Sequence, residues 1–93
     1  MSYDIRNNET ASQFETTVDG HTAVAAYSLT PGTNTFTHTA VPDALAGRGI
    51  AGELARHALG HARAQNLRVV PQCSYIAAFI QRHSEYQDLV NKR

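Results

Sequence analysis

The 93-residue chain has a single cysteine, Cys73. It has no partner for an internal disulfide, and one thiol offers nothing like a four-ligand zinc cluster. Charge excess is lacking too, since eight Lys and Arg balance eight Asp and Glu for a formal net charge of +0. That balance leaves no electrostatic footprint for nucleic acid or an anionic membrane, although five histidines make the chain more positive below neutral pH. No apolar run approaches the length of a membrane span, and residues 1–8 lack the apolar core of a signal peptide, so a cytoplasmic protein is expected. Repeats, low-complexity tracts and linkers are also missing. An apolar share of 42% suits one domain with one modest core.

What the chain does have is a glycine-spaced stretch, Leu45-Ala46-Gly47-Arg48-Gly49-Ile50-Ala51-Gly52, with a helix expected straight after it. Gly47 and Gly49 flank Arg48, and glycine tolerates positive φ while letting another group approach the backbone. The helix that follows, over about 50–65, begins with unpartnered N–H groups and the positive end of its dipole. The junction is therefore suited to a pyrophosphate, with Arg48 adding a cation. The spacing Gly47-x-Gly49-x-x-Gly52 also fits a dinucleotide fingerprint. That reading requires an acid roughly 20 residues on, where this chain has Arg68-Val69-Val70-Pro71. The plain alternative is a glycine-rich helix entry that binds nothing.

In chain order, residues 1–12 are polar and aperiodic, a flexible or irregular lead-in to a single domain over 13–93. Residues 14–18 read as a strand, Asp19-Gly20 as a hairpin turn and 21–29 as the returning strand. The run Ala23-Val24-Ala25-Ala26-Tyr27 is apolar on both faces, which predicts a central strand covered on two sides. Pro31-Gly32-Thr33-Asn34 turns into a third strand over 35–41, whose alternation puts Phe36, His38 and Ala40 on one face and the threonines on the other. After the glycine loop the helix buries Ile50, Ala51, Leu54, Ala55, Ala58, Leu59 and Ala62. Asn66 is its expected left-handed cap, and 67–70 is a fourth strand parallel to the third through a right-handed crossover. Pro71 ends that strand. Ser74 is placed to cap a helix to about Arg82 that buries Ile76, Phe79 and Ile80, and Ser84 to cap a last turn or two.

Few residues are placed for chemistry. His57-x-x-x-His61 has metal-ligand spacing, but Ala58 stands where a zinc protease motif needs glutamate and no third ligand follows, so both read as surface residues. His38 near the end of the third strand and Cys73 past the end of the fourth lie at the carboxyl edge of two parallel neighbours, where open α/β sheets bind ligands. The glycine loop starts at that edge. Taken alone, a cysteine or a strand histidine is usually packing, and it is the glycine loop at the same edge that turns the reading toward chemistry.

The runs Thr37-His38-Thr39-Ala40-Val41-Pro42, Gly47-Arg48-Gly49-Ile50-Ala51, Val70-Pro71-Gln72-Cys73 and His83-Ser84-Glu85-Tyr86 together resemble the small YjdJ-type branch of the GNAT superfamily of acetyl-coenzyme A dependent N-acetyltransferases. The resemblance covers residues 14–90. It implies an α+β fold, a mostly antiparallel sheet with one parallel strand pair, a main helix and a short C-terminal helical cap. It implies acetyl-coenzyme A as co-substrate, gripped by Val41, Gly47, Arg48, Gly49, Ile50, Ala51 and Gly52, with the thioester entering between two splayed parallel strands and no metal. His38 and Cys73 match the positions linked with catalysis in this branch. His38 is expected as general base for a primary amine, and Cys73 either as a covalent relay or as the proton donor to the leaving thiolate. Ala44 and Ala46 depart from the superfamily pattern of Gln or Arg, so phosphate binding is expected to lean on backbone amides and Arg48. The chain is short of the segments that commonly form an acceptor pocket, which leaves a non-catalytic acetyl-coenzyme A binding or interaction module as the alternative. A wide separation of His38 from Cys73, or burial of both, would favour that alternative. A monomer or weak dimer is expected.

Overall fold

A computed structural model describes residues 3–91. Five strands form one sheet in sequence order, β1 (Arg6–Asn8), β2 (Gln13–Val18), β3 (His21–Thr30), β4 (Thr33–Ala40) and β5 (Arg68–Pro71). All neighbours are antiparallel except β4 and β5, which run parallel as expected of a strand–helix–strand unit. The helices are α1 (Ile50–Ala64), α2 (Ser74–Arg82) and α3 (Gln87–Val90), with short 3-10 turns at Asp43–Leu45 and Ser84–Tyr86.

The expected irregular lead-in over residues 1–12 is partly a strand. β1 is polar and only three residues long, which hid it from any periodicity, and it is held by side-chain bonds as well as its ladder. Tyr27 Oη donates to Asn7 Oδ1 (2.6 Å) and Asn8 Nδ2 to Glu15 Oε1 (3.2 Å).

The Asp19-Gly20 turn is formed with φ of 51° and 78°, the twist that a two-residue hairpin needs. β3 is central in the sheet, but only one of its faces is sealed. Ala23, Ala25 and Tyr27 are buried among Phe14, Phe36, Leu54 and Leu59, whereas Val24 and Ala26 on the other face are half-exposed. A run of small side chains thus mimicked the pattern of a strand covered on both sides.

Helix α1 buries Ile50, Leu54, Ala55, Ala58, Leu59 and Ala62, a stripe with helical period, while Ala51 is half-buried at its edge. Asn66 ends it at φ 59°, and the Leu67 N–H reaches back to the Ala62 carbonyl (2.8 Å). Arg63 at its last turn forms a two-pronged bond with Asp88 (2.8 and 2.9 Å) and reaches the Glu85 carbonyl, which ties α1 to the C-terminal helical cap. β5 includes Pro71, paired with Phe36, where a strand ending before it was expected; an edge strand tolerates a residue without an N–H. Ser74 does not cap α2. That place belongs to Cys73, in extended conformation and without a side-chain cap bond.

Candidate active site

Two features meet at the carboxyl end of the parallel strands: the glycine loop and a thiol. Gly47 and Gly49 have φ of 80° and 76°, and a Cβ at either would have no atom within 4 Å. Space therefore lies open beside the loop backbone. Gly49 is the N-cap of α1, and its carbonyl takes the first helical bond, from Glu53 N–H at 3.2 Å. The N–H groups of Ile50, Ala51 and Gly52 are thus those that a helix leaves unpartnered at its start. Val41, Gly47, Gly49, Ile50, Ala51 and Gly52 all line a hollow of about 200 Å³, and open glycines with amides at the helix end suit a pyrophosphate.

Arg48, expected in the same set, does not line the hollow. Its Nη1 donates to Asp19 Oδ2 (2.8 Å) and its Nη2 to the Ala44 carbonyl (3.4 Å), while the Arg48 carbonyl accepts from the Tyr3 hydroxyl (2.8 Å). Leu45, Ala46 and Tyr75 complete the lining. Tyr75 was not anticipated. Its hydroxyl lies 3.7 Å from where a Gly52 Cβ would be, and its position one residue past the start of α2 was the only signal of it.

Cys73 is 8% exposed, and its N–H donates to the Phe36 carbonyl at 2.8 Å. The β4–β5 ladder ends there, at Phe36 and Pro71, although β4 continues to Ala40. Beyond this point the two strands no longer pair, so Thr37, His38 and Thr39 have no β5 partner in the ladder.

The side chain that meets Cys73 is Thr39, with Oγ1 and Sγ 3.3 Å apart. The expected alternation fails because the β3–β4 register shifts between Ala26 and Tyr27. Tyr27 pairs with Phe36 but Ala26 pairs with His38, so Thr37 is an extra residue. Cross-strand partners share a face. Thr39, opposite buried Ala25, therefore joins Phe36 on the core side with Cys73. His38, opposite Ala26, is exposed on the other face.

Burial pushes the Cys73 thiol up, but hydrogen bonds from the Thr39 hydroxyl and from the backbone of Ile76, Tyr75 and Thr39 outweigh it and hold the thiol below its ordinary value. These donors, from Thr39 of β4 and from the start of α2, favour the thiolate, the nucleophilic form. Replacing Thr39 with valine removes one of them. Cys73 should then alkylate roughly threefold more slowly at neutral pH, as expected for one neutral hydrogen bond, and its pH–rate profile should move to higher pH. An unchanged profile in a variant that melts like the wild type would show that Thr39 does not tune the thiol.

His57 is exposed as expected, but His61 is half-buried with its ring edge-on to Phe14 at 5.5 Å. Among the described residues no three His, Cys, Asp or Glu side chains are grouped to hold a metal ion, and no helix is long and apolar enough to cross a membrane.

Comparison with known proteins agrees with this layout. The NMR solution structure of a GCN5-like protein from Staphylococcus aureus, described as a candidate N-acetyltransferase, superposes with a TM-score of 0.73. It is 28% identical, over 96% of this chain and 89% of that one. No curated protein sequence matches the chain. The sequence profile of the GCN5-related N-acetyltransferases matches residues 13–89, almost the whole chain, and the protein belongs to that family.

Proposed function

We propose that the protein transfers an acetyl group from acetyl-coenzyme A to a primary amine through Cys73, as a member of the small YjdJ-type branch. The observation that carries this reading is the Thr39–Cys73 pair, a thiol held toward its anionic form where β4 and β5 cease to pair. A proton donor to the leaving thiolate would need its own proton held. A lowered thiol favours the covalent relay.

In the first step Cys73 Sγ as thiolate attacks the acetyl carbonyl; the C–S bond to coenzyme A breaks, and the coenzyme A thiolate leaves. An acetyl thioester on Cys73 results. In the second step a neutral amine attacks that thioester, and Cys73 departs as thiolate while the new amide loses its extra proton. Val41, Gly47, Gly49, Ile50, Ala51 and Gly52 would cradle the pyrophosphate. His38 would take the amine's proton from the open face of the sheet, opposite to the face on which Thr39 meets Cys73. Imidazole is the usual general base for such a step.

The position of His38 on the opposite face from Cys73 is also what favours the alternative, an acetyl-coenzyme A binding or interaction module without turnover. One titration followed by two readouts separates the readings. Amide NMR shifts on adding coenzyme A should cluster at residues 45–53, and Gly49→Val, which places a β-branched side chain at φ 76°, should weaken binding at least about tenfold. Shifts spread evenly or absent at millimolar ligand would reject the cofactor site. With acetyl-coenzyme A, an acetyl adduct on Cys73 by intact mass supports the relay; binding without adduct or acetylated amine supports the module.

A further inference from the structure

The ion pair between Arg48 and Asp19 has no part in the proposed chemistry, yet it joins the cofactor loop to a turn 29 positions away in sequence. Asp19 lies in the β2–β3 turn, and its Oδ2 is 2.8 Å from Arg48 Nη1. The second arm of the guanidinium bonds the Ala44 carbonyl in the 3-10 turn just before the loop, and Tyr3 anchors the Arg48 carbonyl. The cation is therefore tied to the turn before the loop, with its charge answered by a carboxylate. Both side chains are well exposed, 43% and 68%, and such a pair contributes little by itself. A weak pair is readily exchanged for a stronger anion. A phosphate offers more charge and more acceptor oxygens than a carboxylate, and guanidinium binds it in two-pronged fashion.

We infer that Asp19 sets the affinity of the cofactor loop: its carboxylate holds the Arg48 guanidinium, and a phosphate of coenzyme A takes that guanidinium only by displacing it. This rests on reading the glycine loop as the coenzyme A site. Asp19 then acts as an internal competitor. It would select for ligands with enough negative charge to win the exchange, and it would keep the loop from holding weak anions.

The test is calorimetric titration of coenzyme A into the wild type, Asp19→Asn, Arg48→Ala and the double variant, at low salt and again at high salt. Asparagine suits the positive φ of 51° at position 19 as well as aspartate does, so the hairpin is kept. Asp19→Asn should bind coenzyme A about two- to fivefold more tightly at low salt, the scale of an exposed pair, with the gain shrinking at high salt. Arg48→Ala should bind more weakly, and adding Asp19→Asn to it should change nothing further. Equal or weaker binding by Asp19→Asn beside a wild type that binds would overturn the displacement while leaving the cofactor site standing. A gain that persists without Arg48 would also overturn it, since the carboxylate would then act on the ligand directly. No binding by the wild type at millimolar coenzyme A would reject the site itself, and this inference with it.

Discussion

Cys73→Ser should lose the acetyl adduct altogether and, once an acceptor amine is in hand, lower its acetylation by at least about a hundredfold. Serine keeps the size of the side chain and its ability to bond Thr39, so the surroundings stay in place. What it lacks is an anion near neutral pH, because the donors that lower a thiol from its ordinary range cannot bring a hydroxyl into that range. Coenzyme A affinity should hardly move, since Cys73 is not among the residues of the glycine-loop hollow. The experiment is intact-mass analysis and a steady-state assay on the wild type and the serine variant side by side. Wild-type turnover in Cys73→Ser would exclude the relay and leave direct transfer to the amine. His38→Ala is the companion, expected to slow the amine step while leaving the adduct on Cys73 to accumulate.

Phe36→Ala should cost about 3–5 kcal/mol of folding stability. Phe36 is fully buried, stands edge-on to Tyr27 at 6.3 Å between ring centroids, and is paired to β5. A domain of this size has only about 5–14 kcal/mol in total, so the variant should be close to unfolding at physiological temperature. Chemical denaturation followed by far-UV circular dichroism would measure the loss. A loss under about 1 kcal/mol would mean that the parallel edge does not depend on this ring. The effect also reaches the site, because the Phe36 carbonyl accepts the Cys73 N–H at 2.8 Å at the last paired position of the ladder. Loosening β4 here should expose Cys73, and faster alkylation well below the unfolding transition would report it.

Thr39, Asp19 and Tyr75 show where reading the chain residue by residue reaches its limit. A strand's alternation is reliable until one residue is inserted, and Thr37 is such an insertion. Nothing in Thr37-His38-Thr39 distinguishes a bulged from an unbulged strand, since all three types suit either, so the alternation put His38 on the face of Phe36 and Thr39 on the other. The partner of Arg48 was hidden for another reason. A long flexible side chain reaches whatever acceptor the fold brings near, and Asp19 had already been accounted for as a turn residue. Tyr75 enters the hollow only because α2 lies against the first turns of α1 at Gly52.

The amino-acid sequence by itself determined the parts governed by local physics. Those are the hairpin at Asp19-Gly20, the positive-φ glycines at 47 and 49, the helix and its buried stripe, the left-handed close at Asn66, and the parallel pairing of β4 with β5 that a strand–helix–strand unit requires. Each depends on neighbours within a few positions, where backbone sterics and the period of apolar residues leave one solution. Only the tertiary structure decided that β1 pairs at all, that one face of the sheet stays open, that His38 looks outward while Thr39 meets Cys73, and that Arg48 leans on Asp19. These depend on register and on side chains meeting across 20 to 34 positions of sequence, from Tyr27 with Asn7 to Thr39 with Cys73. No local preference specifies such contacts, because what selects them is the packing of the completed sheet against its helices.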